Sequence, residues 1–211
     1  MSNSPTPHQS AIRLLFILIY GSEKLPDNHY SGAQGVFNSE MRLHAMDFWV
    51  RYPDYLAHEL ICIFRETNDF ALIKQAESIF EDQEPDLRRI PMIRWRFGAY
   101  DKVDNTLSVL ISKGLIRQED KKNITGVQEH HYLLMPSAYS LESNIEQDFP
   151  VLRWYKERAK LVSKVAGNRG GKALKDRQYE HITYANTTGG NIIQAITEEV
   201  GLSLQNLRNR I

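Results

Sequence analysis

A single cysteine, Cys62, stands among 211 residues, so the chain can hold no intramolecular disulfide and no multi-cysteine zinc centre. Its setting, LICIF, reads as a packed core thiol rather than a nucleophile. Net charge is missing too: 26 Lys and Arg balance 26 Asp and Glu, and the whole-chain field therefore draws in neither nucleic acid nor anionic lipid. No apolar run is long enough to span a bilayer. The best one, AIRLLFILIY at 11–20, carries Arg13 and meets Gly21 at once. No basic region precedes it and no small-residue cleavage site follows, so it reads as a buried helix and not as a secretory signal. The expected location is cytoplasmic.

Catalytic signatures are lacking as well. His58-Glu59 opens a helical HE pair, but Cys62 occupies the place of the second histidine. GNRGGKA at 167–173 has Ala166 where a phosphate loop needs its leading glycine. It also has Ala173 where Ser or Thr should follow the lysine, and a helix rather than a strand precedes it. Glu129, His130 and His131 suggest a metal, yet neighbouring histidines on a strand point to opposite faces and cannot both turn to one ion. No nucleophile elbow occurs. The expectation is a non-enzyme with no catalytic residues, no metal and no cofactor.

What is present is an ordinary globular composition, 42% hydrophobic and 25% charged, in a length that suits one large or two small domains. A polar tail, 1–9, leads to a first helix at 10–20, apolar on nearly every side. The turn-rich SEKLPDNHYSGAQG follows. Ser39 can cap the next helix, and Pro53 suits the first turn of the one after. Phe70, Ile73, Ala76 and Phe80 mark an amphipathic helix, and EDQEPD reads as an acidic link. Val103, Leu107, Leu110 and Ile111 fall on one helical face, which Gly114 stops. Residues 115–118 and 129–134 read as paired strands around EDKKNITG, closed by Pro136. Helices then occupy 137–147 and a longer stretch from 150, with Leu152, Tyr155, Ala159, Val162 and Ala166 as its stripe. GNRGGK interrupts. In the last helical pair Asn191 caps NIIQAITEEV and Gly201 ends it.

Helix, glycine stop, strand, charged tip and strand together spell a winged helix. The expected fold is mainly α with a small β-hairpin, winged-helix-like with additional helices. Its expected regions are 10–84 (N-terminal helical), 85–136 (winged-helix hairpin) and 137–211 (C-terminal helices with a basic surface).

Two uses of such a domain compete. DNA reading needs basic or polar groups on the exposed side of the recognition helix. That side offers Asp101, Lys102, Asp104, Asn105, Ser108 and Ser112, and aspartates oppose phosphate. Arg94, Arg96, Lys102, Lys121, Lys122, Arg169 and Lys172 are the candidates for contact with a DNA backbone. Against this, the cluster DFWVRYPDY supplies Phe48, Trp49, Arg51, Tyr52 and Tyr55, residue types enriched at interface anchors, with core packing of Phe48 and Trp49 as the alternative. Charge is also segregated. Residues 65–86 carry seven acids against two bases, and 151–180 nine bases against three acids. That polarity suits docking to a larger assembly, contact with phosphates, or merely solvated helix faces.

RLLFILIYGSEKL, RLHAMDFWVRYPDYLAHELI and RWRFGAYDKVDNTLSVLISKGLI, within residues 13–116, resemble the middle or accessory component of bacterial ABC-three-component and Lamassu-type defence systems. The C-terminal third carries no such likeness. The resemblance implies a small non-enzymatic subunit of an antiphage or antiplasmid complex. Its partners would be an SMC-like ATPase and a nuclease-like effector, with DNA reached through the complex and no membrane involved. The alternative is a stand-alone winged-helix DNA-binding transcriptional regulator.

Overall fold

The computed structural model describes residues 6–209 apart from 30, 97 and 123–127; at 7, 121, 122, 128 and 146 it describes the backbone alone. From the N-terminus the chain forms α1 (Pro7–Gly21), the short strands β1 (Glu23–Lys24) and β2 (Gly35–Asn38), then α2 (Glu40–Arg51), α3 (Pro53–Thr67), α4 (Phe70–Glu81) and α5 (Glu84–Leu87). Next come β3 (Ile93–Trp95), β4 (Gly98–Tyr100), α6 (Asp104–Ser112), β5 (Ile116–Lys122) and β6 (Gln128–Leu134). After them stand α7 (Pro136–Asp148), a 3-10 turn at Pro150–Leu152, α8 (Arg153–Ala166), α9 (Gly171–Tyr179), α10 (Ile182–Asn186) and α11 (Thr197–Arg208). The protein is mainly helical with a small antiparallel sheet. Among the described residues no helix is long and apolar enough to cross a membrane.

The chain divides into two compact units, each built from separate stretches, rather than into the consecutive regions 10–84, 85–136 and 137–211. The first unit is Met1–Asp47 with Asp101–Leu174, and the second is Phe48–Tyr100 with Lys175–Ile211.

In the first unit, α1 begins three residues ahead of expectation. A capping box explains it: Thr6 Oγ1 accepts from the Gln9 N–H while the Gln9 side chain accepts from the Thr6 N–H. Leu14 to Leu18 are all at most 1% exposed, so α1 is surrounded, and each such side chain contributes about 1.5–3 kcal/mol by burial. It packs on α6 and α8. Arg13 is buried with it and donates from Nε to Asp47 at 2.7 Å. The sheet runs β1-β2-β6-β5, all antiparallel, with Val36 opposite Leu133 and Ile116 opposite Leu134.

The α6–β5 junction follows the expected glycine stop. Gly114 has φ +65°, its N–H donates to Ile111, and the Leu115 N–H reaches back to Leu110. That pair of bonds is a Schellman cap. Val103, Leu107 and Leu110 are buried, but Ile111 is 40% exposed and leaves the apolar face it was assigned to. The hairpin is longer than expected, since 119–122 join β5. Part of the expected turn, 123–127, lies outside the described residues.

In the second unit, Pro53 takes the first turn of α3 as expected, and Asp69 caps α4 through the Ala71 N–H. α4 buries Leu72, Ile73, Ala76 and Ile79, while Phe70 is 51% exposed, so the stripe is turned from the predicted one. EDQEPD is not merely a link, because α5 starts inside it. The end of the chain departs most. Asn191 caps no helix: its carbonyl accepts from the Arg94 N–H, and Ile192 bridges Ile93. α11 starts at Thr197 and runs straight through Gly201. A strand-like partner for β3 outcompetes helix at 191–193, and Val200 and Leu204 are buried on α11 to either side of the glycine.

The N-terminus of α9 lies against the first turn of α2. A Cβ on Gly171 would fall 2.5 Å from the Arg42 nitrogen and 2.7 Å from the Met41 carbonyl carbon, both backbone atoms, whereas one on Gly170 would meet nothing within 4 Å. Gly171→Ala is expected to cost roughly 1–3 kcal/mol by overpacking and to lower Tm by on the order of 5 °C. Gly170→Ala should stay within about 0.5 kcal/mol. Thermal denaturation of the two variants side by side checks this.

Candidate functional site: a histidine and carboxylate cluster

The stretch RYPDY at 51–55 builds the scaffold of the second unit. Arg51 donates to the carbonyls of Ile90 and Pro91. The Tyr52 hydroxyl accepts the Met92 N–H at 3.1 Å and donates to the Ile193 carbonyl at 2.8 Å. Asp54, in the first turn of α3, accepts the Ile196 N–H at 2.7 Å and the Thr197 hydroxyl at 3.3 Å. It thereby serves as the cap that α11 lacks locally, with its negative charge at the positive end of that helix. The Tyr55 hydroxyl donates to the Gln194 carbonyl.

These bonds bring α11 beside α3 and place three side chains together. His58 on α3, His181 at the N-cap of α10 and Glu199 on α11 have ligand-type atoms all within 4.8 Å of one another. The His58 and His181 rings stand nearly perpendicular, 4.7 Å between centroids, and Tyr55 meets His181 edge-on at 5.2 Å. His181 is 6% exposed. Its Nδ1 accepts the Thr183 N–H at 3.2 Å, so its hydrogen sits on Nε2, which lies 3.2 Å from Glu199 Oε1. Burial, with the His181 ring beside it, pushes the His58 imidazole down to about 4. Cys62, one turn along α3, has Sγ 3.4 Å from His58 Nε2 and is half-buried rather than fully packed away. Burial also raises its thiol above the usual range.

Next to the cluster, Arg177 donates to Glu59 at 2.9 Å and to Glu66 at 2.8 Å. Those acids lie two turns apart on one stripe of α3, so Arg177 fixes the chain shortly before His181. Sequence reading reached His58 and stopped, because Cys62 filled the next helical position. The second histidine arrives from the far end of the chain, and no local signal marks it.

The other site residues fall as follows. Phe48, Trp49, Arg51, Tyr52 and Tyr55, read as partner anchors, are all at most 4% exposed and pack the chain's own interior. Phe48 stacks on Tyr52 and meets Tyr55 and Tyr184 edge-on. Arg94 is likewise withdrawn from the DNA-contact set: it donates to the Thr187 carbonyl and the Tyr179 hydroxyl and lies over the Tyr179 ring. Arg96, Lys102 and Lys172 are exposed, and Arg169 is half-buried. Lys121 and Lys122 lie on β5 with side chains outside the described residues. His130 and His131 diverge as expected, the first to Asp120 and the second to Asn38, each at 2.7 Å.

The GNRGGK loop follows α8, a helix, and borders a polar cavity of about 580 Å³ in the first unit. Arg42 there donates to the carbonyls of Gly167 and Arg169, and Glu23 and Glu129 share the lining. Arg169 and Lys172 line it as well, so three bases and two acids surround that cavity.

The depressed His58 value makes the stability of the metal-free protein pH-dependent. The native state holds fewer protons than the unfolded chain between about 4 and the ordinary 6.5. The stability carried by neutral His58 is therefore complete above 6.5 and lost as pH falls toward 4, an effect on the order of 2 kcal/mol after discounting its partial exposure. The charged groups facing it are His181, Glu199, Arg65 and Arg177. His58→Gln should flatten the profile across that window, measured as urea midpoints at several pH values in EDTA.

No family model matches this chain, and neither a curated protein nor a solved structure matches it.

Proposed function

We propose that this chain is a non-enzymatic adaptor, a winged-helix subunit that binds protein partners. In line with its resemblance, those partners are an SMC-like ATPase and an effector of a bacterial defence complex. The first unit supports the winged-helix reading by its order of elements. α1, β2 and α2 are followed, after the stretch 48–100 of the second unit, by α6, β5 and β6, with strand order β2-β6-β5. α6 is then the recognition helix and β5–β6 the wing.

The observation that carries the adaptor reading is the outer face of α6. It presents Asp104, Asn105, Ser108 and Ser112 beside an exposed Ile111. An aspartate is repelled by phosphate and a bare isoleucine gains nothing from base edges, whereas both are ordinary at a protein interface. In the second unit three of the exposed apolar groups lie at β3. Ile93 and Trp95 alternate on β3, and Ile192 bridges Ile93. Trp95, 51% exposed and followed by exposed Arg96, takes over the anchor role first read into the buried aromatic cluster.

Co-expression with the neighbouring genes tests the reading. A large coiled-coil ATPase should co-purify with the chain. Ile111→Glu should abolish or weaken that association at least about tenfold while leaving the thermal melt unchanged, since the site is exposed. Anisotropy with duplex DNA should show only weak binding that about 200 mM salt erases. Tight, sequence-selective binding that survives such salt, with no companion subunit, would overturn the proposal in favour of a DNA-binding regulator.

A further inference from the structure

We propose that His58, His181 and Glu199 bind one divalent cation of the zinc type, tying α3, α10 and α11 of the second unit together. Two imidazoles and a carboxylate form a donor set that suits zinc better than magnesium or calcium, which favour all-oxygen sites. Bond lengths of about 2.0–2.2 Å put neighbouring donors of a tetrahedral zinc site roughly 3.3–3.5 Å apart. The His181 Nε2 to Glu199 Oε1 separation, 3.2 Å, is already such an edge. The remaining separations, none above 4.8 Å, close by rotation of the Glu199 side chain, which is 58% exposed, and by a small turn of the His58 imidazole about its side-chain bonds. Both histidines sit on rigid supports. His58 is in the middle of α3, and His181 is wedged against Tyr55 and His58 by ring contacts. The fourth position falls to water on the exposed Glu199 side.

Metal loading changes one hydrogen bond in a defined way. Without metal, the Thr183 N–H donates to His181 Nδ1, and the ring hydrogen is on Nε2. Coordination through Nε2 moves that hydrogen to Nδ1, with no net proton lost by the ring, and ends the Thr183 contact. The Thr183 amide is therefore a reporter of this site and of no other.

The test titrates zinc chloride alone into the EDTA-treated, dialysed full chain, followed by calorimetry, by amide NMR and by thermal melting. One equivalent should bind, shift the Thr183 amide resonance and raise Tm. Glu199→Gln should weaken binding at least about tenfold, as should His58→Gln, with the metal-free melt of each variant showing that it is folded. Cys62→Ala should bind as the parent does. Absence of saturable binding, an unmoved Thr183 amide at full loading, or parental affinity in Glu199→Gln would overturn the proposal. So would loss of binding in Cys62→Ala, which would mean a different ligand set.

Discussion

A buried carboxylate holds the second unit in order. Asp54 is fully shielded from solvent, and burial pushes its carboxyl above the usual carboxylate range even though three donors pull the other way. A lone carboxylate in that position would be strongly disfavoured. It persists because it meets the Tyr55 N–H, the Ile196 N–H and the Thr197 hydroxyl, and because α11 has no cap of its own. The place of Glu199 in the histidine cluster follows from that contact. With α11 pinned at its first residue, Glu199 comes to lie less than one turn along, on the side of α3 that carries His58.

The same five-residue stretch explains why aromatic density misled as a sign of partner binding. Tyr52, Tyr55 and Arg51 make the kinds of contact that interfaces use, bidentate and hydroxyl bonds to bare backbone with rings stacked behind them. They make them to the chain's own segments at 90–92 and 193–194. Those segments are short, and they bond each other through the Ile193 N–H and the Met92 carbonyl. Side chains that combine large buried area with a polar tip are what such segments need. Interface chemistry and internal adhesion use one vocabulary, and composition alone does not separate them.

What could be read from sequence was local. Pro53, Gly114 and Pro136 each act through their own backbone or the next few residues, and each lies where its chemistry placed it. The long apolar helix α1 and the β5–β6 hairpin were legible for the same reason. Illegible features were those decided by distant partners. β2 is a four-residue strand in a turn-rich stretch, made by pairing with β6. Asn191 looked like a cap until β3 claimed its neighbourhood. Gly201 looked like a stop, but the burial of Val200 and Leu204 outweighs the loss of about 1 kcal/mol that a helical glycine brings. The histidine cluster belongs to this second class, since its members come from three elements and share no motif.

Charge segregation along the chain also changes meaning in three dimensions. In the second unit Arg177, near the end of the basic stretch 151–180, bonds Glu66 of the acidic stretch 65–86 as well as Glu59 and Glu180. In the first unit Lys156 pairs with Glu142, and Arg158 is buried over Trp154. Exposed apolar side chains include Ile111 on α6 and, in the second unit, Ile93 and Trp95 on β3 with Ile192 beside them. Adhesion through such patches rests on area removed from water, which salt does not screen, whereas steering by a charged face would fade within a Debye length of about 8 Å at physiological ionic strength.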